Sequence, residues 1–276
     1  MRPIGRGEII GLWVLLGVSY AAALVPAGVP GVLGLLLGWV PVAFAFWHFA
    51  RWAGTATALL SFVVIVAVSF TAEAIGVATG LVFGEYYYAD GPLGPLVLGV
   101  PPLILLQYFA MGYASLFVAR SIAGMLGGGR GATAIALSAL MSAFAITVLD
   151  LATDPWQSTH LGYWVWPDGG SYFGVPVHNF VGWFAEALVF FAIVAALLAR
   201  PAAVEHLARP RPAAFDLQGV LLYGTFPFAI LVRPFVVGSS EIADALAGVA
   251  AFAVLPVLLA GLLALRSRVG RAAAIG

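Results

Sequence analysis

Long apolar stretches, each about the length of a membrane-spanning helix, follow one another along most of the chain. A helix that crosses a bilayer needs roughly 20 mostly apolar residues. Stretches of this kind cover residues 9–25, 31–50, 54–79, 96–119, 131–151, 176–199, 217–236 and 242–265. The pattern predicts an all-α fold: a polytopic membrane helix bundle of about eight transmembrane helices, forming one domain over residues 1–276. Pro101 and Pro102 fall inside the fourth stretch, where prolines predict a kink.

The composition supports a membrane location. Of the 276 residues, 63% are hydrophobic and 9% are charged, whereas a soluble domain carries about a quarter charged residues. The twelve basic and twelve acidic residues balance, which argues against nucleic acid as a partner. We therefore expect a multi-pass integral protein of the cytoplasmic membrane.

The positions of the arginines predict the orientation in the membrane. Cytoplasmic loops retain positive charge, and all twelve basic residues of this chain are arginines. When the N-terminus is placed inside, every arginine except Arg233 falls in an inner segment. The outer loops carry acids instead, among them Glu85, Asp90 and Asp168. This distribution predicts that both termini are cytoplasmic.

The chain contains neither lysine nor cysteine, which excludes several chemistries. Without lysine, it cannot form a Schiff base with retinal or pyridoxal phosphate, and it lacks the phosphate-binding lysine of nucleotide-binding loops. Without cysteine, it has no thiolate nucleophile, iron–sulfur cluster or cysteine zinc site. Its four histidines have no HxxH or HExxH spacing, so no metal site is predicted. Any chemistry is expected to use carboxylates, His, Tyr, Asn and Arg, without a cofactor.

Polar residues inside the predicted spans are candidate functional groups, because a charge within the bilayer costs a few kcal/mol or more. Glu73 lies in the third span, Asp150 and Asp154 close the fifth, and Glu186 lies near the middle of the sixth. Gln107 lies at a comparable depth in the fourth span. In the fifth and sixth spans, the spacing of the polar residues predicts that those of each span share one helical face that is turned away from lipid.

Two outer loops are rich in aromatic and polar residues. The first includes Tyr88, and the second includes Trp166 and is followed by His178 at the start of the sixth span. Trp and Tyr at a membrane interface commonly act as anchors. The same mixture is also suited to the mouth of a site for a long apolar ligand, and the pattern alone leaves both interpretations open.

Two segments resemble the signatures of the integral-membrane carotenoid hydratases, of the bisanhydrobacterioruberin and γ-carotene hydratase type. The first runs from Glu73 to Tyr88 and is followed by Gly99-Val100-Pro101. The second consists of Asp150-Leu151, Asp154-Pro155, Trp164-Val165-Trp166, the run from Tyr172 to Pro176, Asn179-Phe180 and Gly182-Trp183. Together they cover roughly residues 70–186.

This resemblance implies a hydro-lyase that adds water to the terminal double bond of an acyclic carotenoid end group and gives a tertiary alcohol. Such a reaction requires no cofactor, which agrees with the excluded chemistries. The implied partners are an acyclic carotenoid within the bilayer and water, and other membrane enzymes of carotenoid biosynthesis are further candidates.

Hydration of an alkene requires a general acid and a group that activates water. Two carboxyl groups in unlike environments can divide these tasks. Our hypothesis makes Asp150 the proton donor, with Glu73 sharing or supplying its proton, and lets Asp154 orient the water. Five further residues would position water or bind substrate: Asn179, His178, Tyr88, Trp166 and Trp183. Glu186 and Gln107 would extend the polar network or, alternatively, form hydrogen bonds with each other.

Other functions fit the same residues. A cyclase acting on a carotenoid or prenyl chain would begin with the same protonation but would exclude water. A proton-coupled transporter would use Glu73, Asp150 and Glu186 as a relay, although transporters often have repeated halves and no repeat is evident here. A purely structural partner of another membrane enzyme would need no site.

Overall fold

The computed structural model describes residues 3–25, 32–126 and 131–275, with the backbone alone for 32–36 and 268–275. The protein is 77% helical. The helices are α1 (Arg6–Ala22), α2 (Val32–Ala53), α3 (Thr55–Thr79), α4 (Pro102–Met125), α5 (Gly131–Pro155), α6 (Val177–Leu198), α7 (Pro201–Leu207), α8 (Ala213–Leu231), α9 (Arg233–Val236), α10 (Glu241–Val249) and α11 (Leu255–Ile275). Two π-helical segments, Trp156–His160 and Ala250–Val254, follow α5 and α10. Two short strands are β1 (Tyr87–Tyr88) and β2 (Trp164–Val165).

The predicted helical character is confirmed, and helices occupy all eight apolar stretches. Within the described residues, six helical segments are long and apolar enough to cross a membrane: Thr55–Thr79, Pro102–Met125, Gly131–His160, Val177–Leu198, Ala213–Leu231 and Glu241–Ser267. Because α1 and α2 are not among them, eight crossings stay a prediction. So does the cytoplasmic placement of the termini, and two arginines used for it, Arg2 and Arg130, lie outside the described residues.

The fourth helix begins later than predicted, and its two prolines do not kink it. Pro101 is the N-cap residue, and Pro102 occupies the first turn of α4. Proline suits this position because the first-turn amide has no helical partner and the fixed φ angle is already helical. The preceding residues form a tight turn in which Leu98 and Gly99 have positive φ angles of 51° and 79°. Residues 96–101 therefore belong to the loop between α3 and α4.

Helix α4 lies at the centre of the bundle. Every residue from 108 to 119 is buried, and α4 packs against α2, α3, α5, α8 and α11. A helix that is apolar on every side is typical of such a central position. As a result, Tyr108 near the start of α4 faces protein rather than lipid.

A two-stranded antiparallel ribbon joins two loops at one end of the bundle. Tyr87 pairs with Val165, and Tyr88 pairs with Trp164. The first strand follows α3 and the second follows α5, so the pairing holds the two aromatic loops together. The Tyr88 and Trp164 rings contact each other edge to face at 5.9 Å, which stabilises a ribbon too short to persist alone. We call this end of the bundle, formed by residues 80–101 and 156–176, the ribbon end.

Helix α6 comes very close to the turn that follows α3. A Cβ atom added at Gly182 would lie 2.2 Å from the backbone oxygen of Val82 and 2.8 Å from the ring of Phe83. Only a glycine allows this approach, because a backbone carbonyl cannot move aside as a flexible side chain can. Gly182 thereby sets the distance between α6 and the loop that carries β1.

Replacing Gly182 by alanine is therefore expected to destabilise the fold by about 1–3 kcal/mol, the usual cost of overpacking. The measurement is the midpoint of thermal unfolding in detergent. Gly248→Ala is the matched control, because no atom lies within 4 Å of its added Cβ and alanine favours the helix by up to about 1 kcal/mol. An unchanged midpoint for Gly182→Ala would contradict the close approach.

Candidate active site

A cavity of about 150 Å³ lies beneath the ribbon, between the ribbon-end portions of α3, α4, α5 and α6, with α8 lining one side. Its wall combines carboxyl and amide groups with aromatic rings. The polar lining residues include Glu73, Gln107, Asp150, Thr153, Asp154, Gln157 and Asn179, and the aromatic ones include Tyr86, Tyr88, Tyr108, Trp164, Trp166 and Trp183.

Three phenol hydroxyls surround the carboxylate of Glu73, which is 4% exposed. Tyr86 and Tyr88 donate to Oε2 at 2.5 and 2.8 Å, and Tyr108 donates to Oε1 at 2.6 Å. Hydrogen bonds to a charged acceptor are stronger than neutral ones and offset the cost of removing it from water. Glu73 is therefore held in a fixed position by donors from the β1 loop and from α4.

The protonation of two of these phenols is favoured by their surroundings. Tyr86 and Tyr88 lie in the loop that follows α3. Burial and the negative charge of Glu73 raise the pKa of both phenols well above the ordinary value. Both hydroxyls consequently remain protonated near neutral pH and act as donors.

Asp150 and Asp154 lie on either side of one amide nitrogen. Nδ2 of Asn179 donates to Oδ2 of Asp150 at 3.1 Å and to Oδ2 of Asp154 at 2.8 Å. Oδ1 of Asp154 also accepts bonds from the Ser158 hydroxyl at 2.8 Å and from Nε1 of Trp164 at 3.2 Å. Both carboxyls are buried, but Asp154 has three donors and Asp150 shares one.

The chain passes from an α-helix to a π-helical segment at Pro155, and the backbone hydrogen bonding is altered there. Proline has no N–H group, so it cannot bond to the Leu151 carbonyl four residues earlier. The hydroxyl of Tyr172 donates to that carbonyl instead, at 3.0 Å, and burial and the charge of Asp150 raise the pKa of Tyr172 to about 12. Beyond Pro155, the chain continues as the π-helical segment Trp156–His160, which places Ser158 beside Asp154.

Aromatic rings link the two groups of acids and surround the cavity. Tyr88 donates to Glu73, and Trp164, its partner across the ribbon, donates to Asp154. Trp183 stacks on Tyr108 with ring centroids 4.4 Å apart and an angle of 2°. The site therefore presents carboxyl groups and ring faces to the same small space.

Most of the residues predicted from the sequence come together here. Eight of the ten line the cavity: Glu73, Gln107, Asp150, Asp154, Asn179, Tyr88, Trp166 and Trp183. His178 is exposed at the start of α6 and does not line the cavity, so we assign it no role.

Glu186 and Gln107 do not satisfy each other. The Gln107 amide donates to the Gly38 carbonyl at 3.0 Å, because α4 packs against α2 at this level. Glu186 is buried beside Ser69. Within the described part of the chain, neither of its carboxylate oxygens has a hydrogen-bond partner of standard geometry.

The sequence hypothesis gave no role to four residues that hold the acids, namely Tyr86, Tyr108, Ser158 and Trp164. Tyr86 and Trp164 stand in the two recognised segments, but nothing in their spacing distinguishes them from interfacial anchors. Tyr108 stands in an apolar helix and becomes recognisable only when α4 is known to be central. Within the described ranges, no group of three His, Cys, Asp or Glu side chains is placed to hold a metal ion.

Comparison with known proteins identifies the family. The family described as carotenoid biosynthesis protein matches residues 30–263. This chain belongs to the carotenoid biosynthesis protein family. Membership confirms the resemblance seen in the two segments and agrees with a role in carotenoid biosynthesis.

One relative in this comparison is bisanhydrobacterioruberin hydratase from Haloarcula japonica, which is 29% identical over 130 residues. The match covers 47% of this chain and 42% of that relative, so it spans less than half the length of the curated protein. No solved structure matches.

The bridging role of Asn179 leads to a prediction. Asn179→Leu keeps the approximate volume but removes the donor shared by the two acids, and it is expected to cost about 1–3 kcal/mol of stability. Thermal unfolding in detergent measures this cost. In an Asp150→Asn background, one of the two acids is gone and the cost is expected to be smaller. Equal losses in both backgrounds would show that the bond from Asn179 to Asp150 contributes nothing to stability.

Proposed function

We propose that this protein is a carotenoid hydratase, a hydro-lyase that adds water to the terminal double bond of an acyclic carotenoid end group. The observation that carries the proposal is the pair Asp150 and Asp154, which share one amide and differ in their hydrogen bonds. Membership in the carotenoid biosynthesis family and the hydratase relative give independent support.

The unequal environments of the two acids divide the roles of acid and base. Two carboxyl groups on either side of one amide cannot both be charged at low cost, so one of them retains a proton. The proton belongs on Asp150, because Asp154 has three donors to stabilise its charge and Asp150 has one. Asp150 is then the general acid, as the sequence hypothesis had it.

Protonation of the alkene creates the electrophile that water attacks. Asp150 gives its proton to the less substituted carbon of the terminal double bond, and the other carbon becomes a tertiary cation. Asp154 accepts a proton from a water molecule oriented by Asn179 as the oxygen bonds to the cation. Return of that proton to Asp150 restores the site, and the net change is the addition of one water.

The cation would be stabilised by the walls of the cavity. The faces of Tyr88, Trp166 and Trp183 each contribute up to about 2 kcal/mol when desolvated. Glu73 accepts three hydroxyl bonds, an arrangement that suits a fixed negative charge better than the proton-supplying role first considered. We therefore assign Glu73 to electrostatic stabilisation of the cation.

The volume of the cavity fits the end of a substrate chain. A protein cavity of about 150 Å³ accommodates a benzene molecule, which has nearly the same number of carbons as one isoprenoid unit. The cavity, of about 150 Å³, is therefore suited to one end group and excludes the rest of a carotenoid.

The product tests the proposal directly. In cells that accumulate lycopene, expression is expected to give a pigment heavier by one or two waters, with oxygen labelled from H₂¹⁸O and not from ¹⁸O₂. Mass spectrometry of the extracted pigments makes the measurement, and cells with an empty vector are the control. A cyclase would give an isomer of unchanged mass, and a transporter would give no new pigment.

The division of roles is tested by amide substitutions. Asp150→Asn and Asp154→Asn are each expected to slow hydration by about 10²–10⁴-fold, the usual contribution of a general acid or base. Asp90→Asn is the control, because Asp90 is an exposed acid of the β1 loop. Near-normal rates in a folded Asp150→Asn protein would remove Asp150 as the proton donor.

A further inference from the structure

The small volume of the cavity raises the question of where the rest of the substrate lies. A carotenoid is a long, stiff chain, and the cavity of about 150 Å³ holds only its end. The chain must therefore leave through the wall of the cavity. The inference below rests on the carotenoid substrate of the proposed function, and it concerns the route by which that substrate enters.

The exposure of the lining residues locates the openings. Most of these residues are buried, and the partly exposed ones mark where the cavity wall meets the surroundings. They are Ile104, Gln107, Gln157, Trp183 and Phe226. Trp183 is stacked flat on the buried ring of Tyr108, so we do not count its side of the wall as an opening. The remaining four residues fall into two groups of different character.

The first opening is polar. Gln157 follows Thr153 and Asp154 by one helical turn, and all three line the cavity. An opening beside Asp154 suits the entry of water, because the first group that water meets is the carboxylate assigned to activate it.

The second opening is largely apolar and lies between two helices. Ile104, Gln107 and Met111 share one face of α4 at the spacing i, i+3 and i+7, and Phe226 of α8 lines the same side of the cavity. The Gln107 amide is bonded to the Gly38 carbonyl of α2, which fixes this part of α4. We call the part of the cavity wall formed by Ile104 and Phe226, which are both partly exposed, the side passage.

We propose that the side passage admits the polyene between α4 and α8, while water reaches the same cavity separately past Gln157. An apolar chain that fills the side passage leaves the polar opening free. The substrate and the water then approach the reacting carbon from different directions, and neither blocks the other. The passage also selects for slender apolar chains that end without a ring, because bulky rings would meet Ile104 and Phe226.

Narrowing the passage tests the proposal. Phe226→Trp and Ile104→Trp are each expected to reduce the lycopene retained by the purified protein by at least about tenfold, measured from its visible absorbance per mole of protein. Phe226→Ala, which widens the passage, is expected to retain at least the wild-type amount. Val189→Trp is the control, because Val189 is 53% exposed on α6 and lies away from the cavity.

Wild-type pigment retention in a folded Phe226→Trp or Ile104→Trp protein would overturn the side passage, and so would a wild-type protein that retains no lycopene. Should both tryptophan variants fail to fold, Phe226→Ala and Ile104→Ala decide the matter: faster lycopene uptake than in wild type supports the passage, and unchanged uptake refutes it. If the wild-type protein retained lycopene but its product had not gained the mass of water, the proposed hydration would be refuted and the side passage would stand. If the Phe226→Trp protein retained as much lycopene as wild type and still gave a hydrated product, the side passage would be refuted and the proposed hydration would stand.

Discussion

A carboxylate inside an apolar helix bundle must be surrounded by hydrogen-bond donors, and this requirement organises the ribbon end of the protein. The membrane helices supply few donors, since their backbone amides are already used within each helix. Of the three hydroxyls on Glu73, only that of Tyr108 comes from a helix. The loops and the ribbon supply the others, so these irregular segments are as necessary to the buried acids as the helices that carry them.

The same principle explains how two acids one turn apart come to differ. Asp150 and Asp154 lie on one helix and contact the same amide. The difference arises from the residues that follow: the Ser158 hydroxyl and Nε1 of Trp164 donate to Asp154 and not to Asp150. Because Asp154 lies at the end of α5, within reach of donors from the following segment, two neighbouring side chains become chemically distinct.

Much of this arrangement could be predicted from the sequence because it depends on the cost of placing polar groups in lipid. Apolar length located the helices, and the rarity of intramembrane acids singled out Glu73, Asp150 and Asp154. The ribbon could not be predicted, because two residues per strand carry no periodicity. The predicted start of α4 was wrong because residues 96–101 are apolar although they form a turn. Hydropathy does not distinguish an apolar turn from an apolar helix. The role of Tyr108 could not be predicted, because a central helix and a lipid-facing helix have similar compositions.

The ribbon has a consequence for the motion of this end of the protein. Tyr88 and Trp164 are opposite each other in the two strands, and each donates to a different buried acid. Separating the strands would remove a donor from Glu73 and from Asp154 in the same step, and each loss carries the penalty of an unsatisfied buried group. Separation of the strands is therefore a single cooperative event that removes hydrogen bonds from both carboxyl groups together. The cover of the cavity behaves as a rigid lattice of hydrogen bonds, and the freedom to admit a ligand is left to the packing between helices.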